Sequence, residues 1–167
     1  MNLQPFVDSR INPALPHASH PPSAVIVVGP IAAGKTTHRR EKLGPRFVHV
    51  DSADIFHELS RGDATLDFPQ AFAAEIEAVG RALTHAALDK RLNIAVETPG
   101  HDAEETIELV KSLQSAGYVV SVEAVAADRE TCELRNATRG DNVSSYWAAP
   151  IHVKWIIQAC RALAASA

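Results

Sequence analysis

The chain is 167 residues long, the length of one domain, and 16 Lys+Arg against 20 Asp+Glu leave a net charge of −4 beside eight histidines. That balance argues against a nucleic-acid binder, which carries a basic excess over its domain, so no nucleic-acid partner is expected. Two cysteines without metal-ligand spacing exclude a disulfide scaffold or zinc module, and no apolar run approaches the roughly 20 residues that cross a bilayer, so a cytoplasmic protein with no membrane partner is expected.

Five of the ten prolines (Pro5, Pro13, Pro16, Pro21, Pro22) fall among Asn, Ser and His near the start of the chain, a composition that resists helix and sheet. Residues 1–23 are therefore expected to be an irregular leader ahead of one domain over 24–167. Ala24–Val28 (AVIVV) is short, β-branched and bounded by turn residues, and predicts a buried strand. Helix follows over 35–43, then a strand over Phe47–Val50 and a helix from about Ala53 to Leu59. A long helix over 70–89 carries Phe72, Ile76, Val79 and Leu83 on one face. Asn93–Val96 predicts the third strand. Asp102 and Glu105 form a capping pair for a helix that closes on Gly117, and Val119–Val125 predicts the fourth strand. A helix over 129–138 and another opened by Pro150 complete the pattern. Strands alternating with helices predict an α/β fold, three layers α/β/α around a mostly parallel sheet of about four strands.

Chemistry concentrates first at Gly29-Pro30-Ile31-Ala32-Ala33-Gly34-Lys35-Thr36. The spacing is that of a P-loop, set where a predicted strand hands over to a helix. Its backbone amides and the helix N-terminus would turn toward phosphate oxygens, Lys35 would reach the β- and γ-phosphates, and the Thr36 hydroxyl would join a Mg²⁺ shell, with Thr37 next in line. ATP, or GTP, with Mg²⁺ is the expected cofactor set. No Asn-Lys-x-Asp guanine-reading sequence is present, which turns the expectation from a switch GTPase toward a nucleotide-dependent kinase acting on a small-molecule hydroxyl.

Ligands in such sheets bind beyond the carboxyl ends of the strands. Asp51 and Asp54 follow the second strand and Glu97 ends the third, so both positions offer a carboxylate to accept a hydroxyl proton or hold the acceptor. Asp51 also suits a helix cap. Arg135 shares a helix face with Arg139, where the two could close over nucleotide phosphates, whereas Arg39 and Arg40 read as surface charges or ion pairs.

From about Val25 to Lys154 the chain resembles the zeta-toxin family of P-loop kinases, on the phosphate loop, Asp54-Ile55-Phe56, Glu97-Thr98-Pro99-Gly100 and Leu113-Gln114-Ser115-Ala116-Gly117-Tyr118. The resemblance implies Asp54 as catalytic base, Glu97 as a holder of the acceptor sugar, and Arg139 as the lid arginine on phosphate. It also implies ATP-dependent phosphorylation of the 3′-hydroxyl of UDP-N-acetylglucosamine, with an antitoxin as partner. His101 stands where the toxins commonly carry Arg, and counts with Asp51 and Glu97 toward the acceptor side. Two alternatives stay open: another small P-loop kinase, acting on an antibiotic or other metabolite hydroxyl, and a nucleotide-binding regulator impaired in catalysis.

Overall fold

Alternation along one strand sets the layers. In β1 (Ser23–Val28), Ala24, Ile26 and Val28 join the larger apolar cluster while Val25 and Val27 join a smaller one on the opposite face. The computed structural model describes residues 3–11, 21–63, 65, 66, 68, 70–137 and 150–165. After β1 come α2 (Lys35–Lys42), β2 (Val48–Val50), α3 (Ser52–Leu59), α4 (Ala73–Asp89), β3 (Ile94–Thr98), α5 (Ala103–Ser115), β4 (Val119–Ala124), α6 (Arg129–Asn136) and α7 (Pro150–Ala165), with α1 (Gln4–Arg10) ahead of them.

The four strands are parallel in the order β2-β3-β1-β4. The expected three-layer α/β/α architecture is what the chain adopts. One layer is built by α1, α3, α4, α5 and α7, whose Val7, Ile55, Leu83, Val110 and Ile156 close over Ile26, Val48 and Ile94. The other is thinner: Leu43, just past α2, covers Val25, Val27 and Ala95, and Cys132 of α6 packs on Ala33. The α4 face is buried at Ile76, Val79, Leu83 and Ala87, as its helical spacing predicts.

The leader is not irregular throughout. Residues 4–10 form α1, with Pro5 in the first turn, where its missing N–H costs no helix bond. Val7 and the following Ile11 are buried, and Arg10 Nη2 meets Glu58 Oε2 of α3 at 2.8 Å. A proline count alone misses this, because the helix places its proline at the one position that tolerates it. Among the described residues no helix is long and apolar enough to cross a membrane.

Topology also fixes where a ligand can enter. The chain leaving β1 passes over β3 to reach β2, and the chain leaving β3 passes over β1 to reach β4. The two connections diverge from neighbouring strands, which opens a crevice at the carboxyl ends of β1 and β3.

Candidate functional site

The phosphate loop fills that crevice. Gly29 N donates to Thr98 O of β3 at 3.2 Å, and a Cβ on Gly29 would collide with the carbonyl oxygen of Val125, so only glycine lets the loop start there. Ala32 (φ 61°) and Gly34 (φ 104°) take left-handed conformations that turn the loop inward. No side chain caps the start of α2. Its first-turn amides, with the positive end of the helix, are therefore offered to an anion rather than satisfied internally.

Lys35 Nζ donates to Gly29 O at 2.8 Å and Pro30 O at 3.0 Å, folding the ammonium back over its own loop. Burial lowers its pKa from the ordinary lysine value, against the opposing fields of Glu97 and Asp51. Arg135 Nη1 donates to Ala32 O (3.2 Å) and Ala33 O (3.3 Å), which docks α6 on the loop. Between them opens a cavity of about 520 Å³ bounded by Ala32, Ala33 and Gly34, by Thr37, His38 and Glu41 of α2, and by Arg135. On its α2 side, His38 Nε2 lies 2.5 Å from Glu123 Oε2 of β4. Arg139 lies outside the described residues.

The carboxylates gather on the other side of α2. Glu97 stands opposite Val27 in the β1–β3 register, so strand alternation sends its side chain to the face that α2 covers. Thr36 Oγ1 donates to Glu97 Oε2 at 3.3 Å, and the Glu97 side chain is 4 % exposed. Asp51 caps α3, accepting from Ala53 N at 2.9 Å, and Asp54 sits in the first turn of the same helix with its side chain 40 % exposed. His101 is exposed on the turn into α5.

What joins these acids is a residue that sequence reasoning assigned to the surface or to an ion pair. Arg39 is 4 % exposed and pairs with all three acids: Nη2 reaches Asp54 Oδ2 at 2.8 Å and Asp51 Oδ2 at 3.4 Å, and Nε lies 2.6 Å from Glu97 Oε1. The last is a charge contact rather than an aligned hydrogen bond, since neither atom makes one. Arg40 is exposed, as expected. Burial works against the Arg39 charge, but the hydrogen bond to Asp54 and the fields of the three acids outweigh it and hold its pKa above the ordinary value. Burial, followed by the charge of Asp51, lifts Glu97 to about 7.

A hydroxyl and a carboxylate side by side, next to a phosphate loop, suit a hard divalent cation that keeps water and phosphate as its other ligands. Among the described residues no group of three or more His, Cys, Asp or Glu could hold a metal ion by protein ligands alone.

The model of the AAA domain family matches residues 25–156. No curated protein matches the sequence. A chain of the PezAT chromosomal toxin–antitoxin system of Streptococcus pneumoniae superposes at TM-score 0.63 with 19% identity, over 81% of this chain and 57% of that one. A kinase candidate from Chloroflexus aurantiacus superposes at 0.55 with 14% identity, over 82% and 78%. A chain of the Pnkp1/Rnl/Hen1 RNA repair complex superposes at 0.57 with 19% identity, over 92% and 49%. The present chain thus spans little more than half of the PezAT chain. The resemblance expected from the phosphate loop and strand-end acids is met in the fold.

Proposed function

From the premise that the chain belongs to the AAA domain family, we propose that it is a phosphotransferase that carries the γ-phosphoryl group of ATP, or of GTP, to a hydroxyl of a small acceptor. The observation that carries this reading is a carboxylate pair against α2, the helix that opens with Lys35 and Thr36: Asp54 from the first turn of α3 and Glu97 from the end of β3. Phosphoryl transfer asks for cations on the phosphates and a carboxylate on the nucleophile, and this arrangement supplies both.

In this reading residues 29–37 and Arg135 hold the nucleotide, with Arg139 assigned to the phosphates from sequence. Thr36, with Glu97 beside it, would hold Mg²⁺, which would supply neutralising charge to the phosphates. Asp54 accepts the proton of the acceptor hydroxyl. That oxygen bonds to the γ-phosphorus as the bond to the bridging oxygen breaks, and a nucleoside diphosphate leaves. Glu97, Asp51 and His101 form the acceptor side. UDP-N-acetylglucosamine is the first acceptor to test. An antitoxin partner and a cytoplasmic location belong to the proposal as well, the former resting on the fold likeness to the PezAT chain. Against a nucleic-acid acceptor stand the seven acids between Asp51 and Glu77, opposed by Arg61 alone.

The hydrogen bond from Arg39 to Asp54 favours one second reading, a nucleotide-binding regulator whose base is held permanently out of use. Incubation with Mg-ATP or Mg-GTP and a panel of nucleotide sugars, read by mass spectrometry, separates the two. A product heavier by one phosphate is expected. Bound nucleotide with no product across the panel would favour the regulator.

A further inference from the structure

The phosphotransferase reading gives work to Lys35, Thr36, Asp54 and Glu97 but none to Arg39, although Arg39 is among the most deeply buried charges of the described residues, at 4 % exposure. Burying a guanidinium is costly unless its geometry and partners compensate. Its partners here come from three places: the end of β2 (Asp51), the first turn of α3 (Asp54) and the end of β3 (Glu97). Arg39 also follows Lys35 by four residues, so both project from one side of α2, a turn apart. One short helix therefore carries the cation for the phosphate and the cation for the carboxylates.

Resting on the phosphotransferase reading, we propose that Arg39 is the positioning residue of the acceptor half. It grips Asp54 through Oδ2, which leaves Oδ1 to take the acceptor's proton, and it ties that carboxylate to Glu97 and to the helix that carries Lys35. The distance between base and phosphate is then set by the rigid turn between residues 35 and 39 rather than by loops. A planar fork is required, because Nε and Nη2 address different carboxylates in different directions. A lysine offers one ammonium on a flexible stem and cannot do so.

Charged and titratable groups surround this pair from each neighbouring element. Glu97 faces Arg39 and Lys35 of α2 and Asp51 of β2–α3, while burial, followed by the Arg39 charge, lowers the pKa of His49 of β2. Loss of Arg39 would thus leave three neighbouring carboxylates without the cation they share and free to move apart.

The test compares wild type, Arg39→Lys and Arg39→Gln in the transfer assay, with kcat and the acceptor KM read separately. ATP affinity is measured by calorimetry and folding by circular dichroism. In Arg39→Lys, kcat should fall about 10- to 100-fold while ATP affinity stays within about threefold, as misplacement of a reacting group costs. In Arg39→Gln, which loses the charge as well as the fork, kcat should fall at least as far. Because Arg39→Lys keeps the charge, it carries the test if Arg39→Gln does not fold. Wild-type kcat in Arg39→Lys would overturn the positioning role and leave the phosphotransferase reading standing. So would parallel losses of kcat, ATP affinity and melting temperature, which mark a purely structural arginine. No transfer by the wild type to any acceptor, with ATP bound, overturns that reading and this inference with it.

Discussion

The two halves of the proposed phosphotransferase site are built on opposite principles. The phosphate half is one continuous stretch, residues 29–37, whose working groups are largely backbone amides and whose shape comes from left-handed turns at Ala32 and Gly34. The acceptor half has no stretch of its own: Arg39, Asp51, Asp54 and Glu97 come from α2, β2, α3 and β3 and meet only when the sheet forms. A half made of backbone binds by local conformation and fails when that conformation fails. A half made of buried charge depends on balance, so losing one member leaves the others uncompensated.

Single substitutions in the two halves should therefore separate kinetically, and this is the largest effect expected. Lys35→Ala should lower kcat by about 10³-fold or more and weaken ATP binding, because the charge on the phosphates is lost in ground and transition states alike. Asp54→Asn should lower kcat by about 10²- to 10⁴-fold with ATP affinity nearly unchanged, as expected for a lost general base. Kinetics paired with calorimetry reads both. If Asp54→Asn keeps full activity, the base lies elsewhere and the acceptor half is misassigned.

Two glycines offer the same contrast in stability. A Cβ at Gly29 would strike the carbonyl oxygen of Val125, whose N–H is already bonded to Val28 O at 2.8 Å, so the obstacle is backbone that cannot yield. At Gly100, which ends the Glu97 turn with φ +72°, a Cβ would strike the Val28 side chain and the conformation itself is strained. Overpacking costs about 1–3 kcal/mol, and the left-handed conformation at Gly100 adds about 1–2. Gly29→Ala should lose about 1–3 kcal/mol and Gly100→Ala about 2–5 kcal/mol in urea unfolding. Only Gly29→Ala should also weaken ATP binding by more than about tenfold, since it displaces the loop that binds the phosphates. Equal losses of ATP affinity in both variants would mean that the halves are not separable.

This contrast also governs what the sequence makes legible. The phosphate loop can be read because its spacing is local, and the Asp51 and Asp102 caps because each bonds an amide two or three residues on. Glu97 is legible as an acid ending an apolar strand. Arg39 is not, because its partners lie 12, 15 and 58 (97 − 39) residues away, and α2 (KTTHRREK) has no apolar face to show which side is buried. Its fourfold spacing from Lys35 was the one available signal. In α1 the signal was Val7 and Ile11 at the same spacing, masked by the surrounding prolines.

Charge balance in the acceptor half should appear in the pH dependence of stability. The Glu97 carboxyl is lifted to about 7 from an ordinary 4.5, first by burial and then by the charge of Asp51. Between those values the folded protein holds a proton that the unfolded chain releases. The stabilising contribution is therefore complete below about pH 4.5 and is lost as pH rises through about 7, with a slope of at most about 1.4 kcal/mol per pH unit. Glu97→Gln cannot release that proton. In urea titrations without nucleotide, its stability relative to wild type should rise by about 2–3 kcal/mol from pH 5 to 8. Parallel curves would show that Glu97 is ionised throughout and that Arg39 alone suffices to balance the acids.

The smallest effect belongs to the phosphate half, where strain rather than charge is stored. Ala32 holds φ 61° in the middle of the loop, a conformation that costs an L-residue about 1–2 kcal/mol and a glycine nothing. Ala32→Gly removes that strain but returns about 0.5–1 kcal/mol to the flexibility of the unfolded chain. The net gain in urea unfolding should thus lie between zero and about 1.5 kcal/mol, with no shift of the pH profile, because no charge changes. A loss above about 1 kcal/mol would show that the Ala32 methyl packs rather than strains, and the loop would then owe its shape to side-chain contacts, as the acceptor half does.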